Sequence, residues 1–153
     1  MKPALFIFSL LGATSVFAAS PGAAKQVKDE QLMQGNWIVA SSRHDGEALP
    51  KQELAQVRFV ITEKRISFGR IGQDPMGFHY TLDSTKTPAA IDITHELSPG
   101  KPIVQLGIYS LEGDTLKLSL AGAGKARPKN FNEKSATTFI LTRAKAPEKK
   151  PKP

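Results

Sequence analysis

Apolar and polar residues alternate with period two along most of this chain, a pattern that predicts strands rather than helices. The first such run places Trp37, Val39 and Ser41 on one face, with Ile38 and Ala40 on the other. Arg43-His44-Asp45-Gly46 ends it with a turn, because Asp-Gly accepts positive φ. Leu49–Ala55 reads as a short helix, with Pro50 near its start, where a missing N–H costs little. Strands are predicted at Val57–Thr62, Arg65–Phe68, Phe78–Asp83, Ile91–Thr94, Ile103–Ser110, Leu116–Leu120 and Thr137–Arg143. Glu63-Lys64, Ser84–Pro88, Ser98–Gly100 and Glu112–Asp114 supply the turns, and Ala121–Ser135 is the one long loop. Ahead of the first strand, Asp29–Met33 has room for a single helical turn before Gly35.

Eight strands with short connections and one short helix after the first strand specify an all-β antiparallel architecture. In an up-and-down meander the first and last strands become neighbours only if the sheet closes into a barrel. Phe139, Leu141 and Arg143 share a face of the last strand, so Arg143 points inward at its end. Trp37 points inward at the start of the first strand, and antiparallel pairing brings the two to one end of the barrel. A guanidinium over an indole there contributes about 0.5–2 kcal/mol, depending on how dry the site is. Phe59, Phe68, Phe78, Tyr80 and Phe139 are the candidate ligand-facing residues of the interior, with Ile61, Leu82, Ile91, Ile93 and Leu118 as core. The facing of Ile103–Ser110 stays open: Val104, Leu106 and Ile108 compete with Ile103 and Tyr109, and Gly107 is a candidate bulge.

The ends read differently from the body. Residues 1–18 have the form of a secretory signal, with Lys2, an apolar run and small residues ending Val16-Phe17-Ala18, which favours cleavage after Ala18. That run is shorter than the ~20 apolar residues of a membrane span, so no span is expected after cleavage. The implied address is secreted or periplasmic, with 19–31 a small, polar leader, 32–143 the barrel domain and 144–153 a Lys/Pro-rich tail. The sequence has no Cys, which removes disulfides, thiol catalysis and a lipidated cysteine. The net charge of +7 is concentrated at the ends: without Lys2, the four tail lysines and Glu148, the body has 16 basic against 13 acidic residues. Such a scattered, nearly balanced surface argues against a nucleic-acid partner. The tail reads as a solvated extension or as a contact for an acidic surface such as membrane or cell-wall polymer.

Gly35-x-Trp37 on the first strand with an Arg ending the last resembles the lipocalin and calycin signature. Longer motifs resemble a family of secreted lipocalin-like domains of unknown function, abundant in planctomycete bacteria. They are Leu32 to Trp37 with Asp45-Gly46-Glu47-Ala48-Leu49-Pro50, and Tyr80–Asp83 through Lys86–Thr94. Gly107–Leu118, Arg127-Pro128-Lys129-Asn130-Phe131 and Ile140-Leu141 complete the set, which spans about residues 32–143. The segment Gly69–Gly77 and the tail depart from that pattern. The resemblance implies a lipocalin-like barrel and export, and it carries over no catalytic residues and no ligand.

Candidate chemistry is sparse. The three His residues, at 44, 79 and 95, show no metal-ligand spacing, and alternation places His95 opposite Asp92 and Glu96. Gly122-Ala123-Gly124-Lys125 lacks the four-residue gap of a phosphate loop and has Ala126 where a Ser or Thr would hold the metal. No Gly-x-Ser-x-Gly elbow occurs. The expectation is therefore a non-enzymatic barrel, without cofactor or metal, that binds a small apolar or amphipathic ligand. The alternative is an envelope protein-interaction or inhibitor module using the loops Arg43–Glu53 and Gly122–Lys134 and the basic tail.

Overall fold

The computed structural model describes residues 21–96 and 100–145. The expected signal at 1–18, part of the Ser98–Gly100 turn and the tail beyond residue 145 lie outside the described residues.

A closed antiparallel barrel of eight strands forms the body: β1 (Gly35–His44), β3 (Val57–Ile61), β4 (Arg65–Arg70), β5 (Met76–Asp83), β6 (Ala89–Glu96), β7 (Pro102–Glu112), β8 (Thr115–Ala121) and β9 (Ala136–Arg143). A two-residue strand, β2 (Glu47–Ala48), folds back on the end of β1 through a turn in which Asp45 and Gly46 both take positive φ. Each barrel strand pairs with its sequence neighbour, and β1 closes the ring against β9, from Trp37 opposite Arg143 to Arg43 opposite Thr138. The short helix α2 (Lys51–Leu54) follows Pro50 and buries Leu54. Because β1 leaves β3 beyond Ile38, the packing of α2 on β1 fills a place where ladder bonds are missing.

Three local features differ from the sequence expectation. The leader is helical: α1 runs Pro21–Met33, and the pattern anticipates only its last turn. No apolar stripe announces α1, since Val27 and Leu32 are exposed and its buried residues are Asp29 and Met33. Polar contacts hold it instead. Tyr109 Oη donates to Asp29 Oδ2 at 2.7 Å and Ser84 Oγ to the Gly22 carbonyl at 2.8 Å, while within the helix Lys25 pairs with the same Asp29 oxygen at 2.7 Å.

Second, the bulge lies in β1 rather than at Gly107. The register slips between Val39 and Ser41, so Ala40 is the extra residue and inward facing passes to Ser42, not Ser41. Ser42 is buried and Ser41 exposed, as that shift requires. Gly107 instead sits in continuous register, opposite Ile91 and Leu120. A Cβ there would stand 2.6 Å from Leu120 Cδ2 and 2.9 Å from the Ser119 carbonyl, so it is close packing that demands glycine.

Third, β7 is covered on both faces. Tyr109 packs in the lumen, while Ile108 is equally buried on the outside. The segment 122–135 between β8 and β9 folds back across that outer surface as a strap. Its Arg127 donates from Nη1 to the carbonyls of Gly107 at 2.6 Å and Ile91 at 3.2 Å. Arg127 Nη2 stands 2.7 Å from Asp92 Oδ1, a charge contact without hydrogen-bond alignment. Pro128 is buried, and Thr138 Oγ1 donates to the Phe131 carbonyl. Within the loop Gly122–Lys134, considered above as a docking element, Arg127, Pro128 and Phe131 are tied to the barrel wall, while Gly122–Ala126, Lys129, Asn130, Asn132 and Lys134 are exposed.

Candidate functional site

The two barrel ends have opposite character. At the closed end, α1 lies under the strands and its terminal carbonyls face the lumen residues. A helix end leaves such carbonyls without partners inside the helix. Trp37 Nε1 donates to Met33 O at 2.8 Å, Arg143 Nη2 to Leu32 O at 2.6 Å and Arg143 Nη1 to Gln34 O at 2.8 Å. Arg143 Nε also reaches Asp114 Oδ1 at 3.0 Å, and the guanidinium carbon stands 4.3 Å from the indole centroid. The two residues thus form a cation–π pair and together cap the helix. Gly35 makes this possible: its φ is +128°, and a Cβ there would stand 2.9 Å from Arg143 Nη1. Trp37 is fully buried, so this end is a structural plug.

Tyr80 belongs to that sealed region. Its hydroxyl donates to the Thr62 carbonyl at 3.0 Å, and burial, then the charges of Glu30 and Glu63, push its pKa up to about 12. The Tyr109 phenol is also pushed up, first by burial and then by its bond to Asp29. Of the candidate ligand-facing residues, Tyr80 is the one whose polar atom is spent on the backbone.

The other four form an aromatic row that climbs to the opposite end. Phe59 is buried and stacks on Phe68 at 5.4 Å between centroids, with Phe139 edge-on at 5.4 Å. Phe68 contacts Phe78 at 5.7 Å, and the Phe78 ring meets the His95 imidazole at 4.1 Å. Phe68, Phe78 and Phe139 are only half-buried. Met76 shares the inward parity of Phe78 but is 60% exposed, and Ile103 shares that of Gln105 at 39%. The inward-facing side chains at this end therefore present a partly exposed apolar row, called the cup below, above the buried Phe59.

Polar groups are set into the cup at two places. On β6 and β7, His95 Nε2 lies 3.1 Å from Gln105 Oε1, while Gln105 Nε2 donates to the Ala121 carbonyl at 2.7 Å. On β1, Ser42 Oγ is buried opposite Phe139 without a hydrogen-bond partner among the described residues. Sequence reasoning weighed His95 only as a metal ligand, which alternation excluded, and did not consider Gln105 or Ser42. His95 was legible, because it shares parity with Ile91 and Ile93; Ser42 was not, because the bulge reverses its facing.

A cavity of about 470 Å³ lies between the strap and the ends of β1, β8 and β9. His44 Nδ1 is 2.8 Å from Thr137 Oγ1 there, and His44 Nε2 is 3.5 Å from Asp45 Oδ2. Those distances trace a hydroxyl–imidazole–carboxylate line, but the His44 and Asp45 side chains are 64% and 75% exposed. A hydrolytic relay works with a buried, hydrogen-bonded carboxylate. Among the described residues, no group of three His, Asp or Glu side chains is placed to hold a metal ion. No described helix is long and apolar enough to cross a membrane.

The geometry defines a closed eight-stranded antiparallel barrel, plugged at one end and with partly exposed apolar side chains at the other. No family model, no curated protein and no solved structure matches the chain.

Proposed function

We propose that this is an exported, non-enzymatic binding protein that holds one small apolar or amphipathic molecule in the cup. The observation that carries the reading is the half-buried row Phe68, Phe78 and Phe139, ringed by the inward yet exposed Met76 and Ile103. Scattered exposed apolar side chains are ordinary, but a contiguous row of them marks a binding surface, and pockets for small ligands are mostly apolar with a few placed polar groups. The resemblance of residues 32–143 to secreted lipocalin-like domains and the signal-like N-terminus support the same reading and the exported address.

Titration with the fluorescent probe N-phenyl-1-naphthylamine tests it. Saturable binding of one probe per chain is expected, and Met76→Asp, which places a charge at the rim, lowers affinity about tenfold. Absence of saturable binding, or binding indifferent to Met76→Asp and to Phe78→Glu, refutes the proposal. Native mass spectrometry of protein purified from its own host, before and after organic extraction, then gives the mass of the natural ligand.

A further inference from the structure

The cup contains one hydrogen-bonding atom whose polarity the structure fixes. A main-chain carbonyl only accepts, so the bond from Gln105 Nε2 to Ala121 O orients the Gln105 amide. Its oxygen must then face His95, 3.1 Å from Nε2. An oxygen acceptor at that distance requires Nε2 to carry the proton, and in a neutral imidazole the other nitrogen, Nδ1, is then a bare acceptor. Nδ1 has no partner among the described residues, and its ring is held against Phe78 at 4.1 Å on the inward face of β6.

From this relay, Ala121 carbonyl to Gln105 amide to His95, we infer that His95 determines ligand class: the cup selects an apolar molecule bearing an uncharged hydrogen-bond donor, such as a long-chain alcohol or a phenol. A donor hydroxyl completes Nδ1. An ester or ether of the same length presents oxygens to an acceptor and gains nothing, and a carboxylate is repelled by the lone pair and by the apolar surroundings. Chemically similar molecules are thus separated by the direction of one hydrogen bond. A site built to pair a hydroxyl discriminates by leaving its own polar atom unpaired with the wrong molecule.

This inference rests on the binding reading above, and its test separates the two. Decan-1-ol, methyl decanoate and sodium decanoate are compared as competitors of N-phenyl-1-naphthylamine at pH 8.5, above the ordinary imidazole range. Decan-1-ol is expected to displace the probe at about fivefold lower concentration than the methyl ester, and at about tenfold lower concentration than the carboxylate. In His95→Phe the ratio of alcohol to ester potency collapses to within about twofold, whatever that variant's affinity for the probe, and direct calorimetric titration with decan-1-ol and methyl decanoate gives the same ratio where the probe no longer binds. Gln105→Leu releases the tautomer and is expected to weaken the preference without removing the imidazole. Equal potency of alcohol and ester in the unmodified protein, or a preference that survives His95→Phe, overturns the inference and leaves the binding reading standing. Failure of the probe to bind the unmodified protein overturns both.

Discussion

Replacing Arg143 by methionine keeps an unbranched apolar stem and removes the guanidinium, with its charge and five donors. Four contacts disappear: two carbonyls at the end of α1, the indole face and Asp114. They are not equal. Asp114 is 82% exposed, so that ion pair contributes almost nothing. The bond to Leu32 O is exposed, and water replaces it for about half a kcal/mol. The bond to Gln34 O is partly buried and charge-assisted, worth about 1–1.5 kcal/mol, and the contact with the fully buried indole adds about 0.5–1. The expected loss is about 2–3 kcal/mol, or about 10 °C in Tm for a domain of this size. Arg143→Lys should recover less than half, because a point charge cannot donate along two carbonyl directions while lying over a ring. Urea unfolding followed by Trp37 fluorescence gives the stability. Hydrogen exchange gives the location, with faster exchange expected across Asp29–Met33. A loss below about 0.5 kcal/mol, full rescue by lysine, or unchanged exchange in α1 would refute the capping argument.

Two further perturbations have less familiar signs. Ser42→Ala should raise stability by about 1 kcal/mol, because it deletes a buried hydroxyl that no described residue satisfies, and a destabilised variant in urea unfolding would show that the hydroxyl is paired after all. Both tyrosines should stay protonated past pH 11 in the folded protein, since burial raises Tyr80 to about 12 and Tyr109 in the same direction. Their folded pKa values lie above the unfolded ones, so the stability they contribute is complete below about pH 10 and is lost as pH rises toward 12. Absorbance at 295 nm should therefore show phenolate appearing with unfolding, and a reversible phenolate step near pH 10 with native circular dichroism would contradict it.

The sequence was most readable where one face of a strand is wet. β5 and β6 alternate cleanly, and parity alone brings Trp37 to Arg143 and puts Phe59, Phe68, Phe78 and Phe139 inside. β7 resisted because the strap gives its outer face a second core, so Ile108 and Tyr109 are both buried and no alternation survives. α1 was hidden for the opposite reason: apart from Met33 it is anchored by Asp29 and Gly22 rather than by an apolar stripe, and period-based reading sees only stripes. The β1 bulge has no glycine and no positive φ at Ala40 to betray it, yet it decides that Ser42 faces the lumen. Capping by Trp37 and Arg143 was out of reach, because their partners are main-chain carbonyls, which every residue has.

The cap on α1 also bears on the order in which the molecule can be completed. One of its two donors is four residues away from its acceptor; the other is 111 residues downstream of Leu32. A chain that emerges from its N-terminus delivers the helix first and Arg143 after every other strand, so the earliest element is the last to be finished. Until the ring shuts, α1 is a short, polar segment with open carbonyls, and isolated helices of that length are marginal in water. Helix formation at residues 21–33 is in this sense a receipt for closure, and a nascent chain stopped short of residue 143 would be distinguishable from a full one at its opposite terminus.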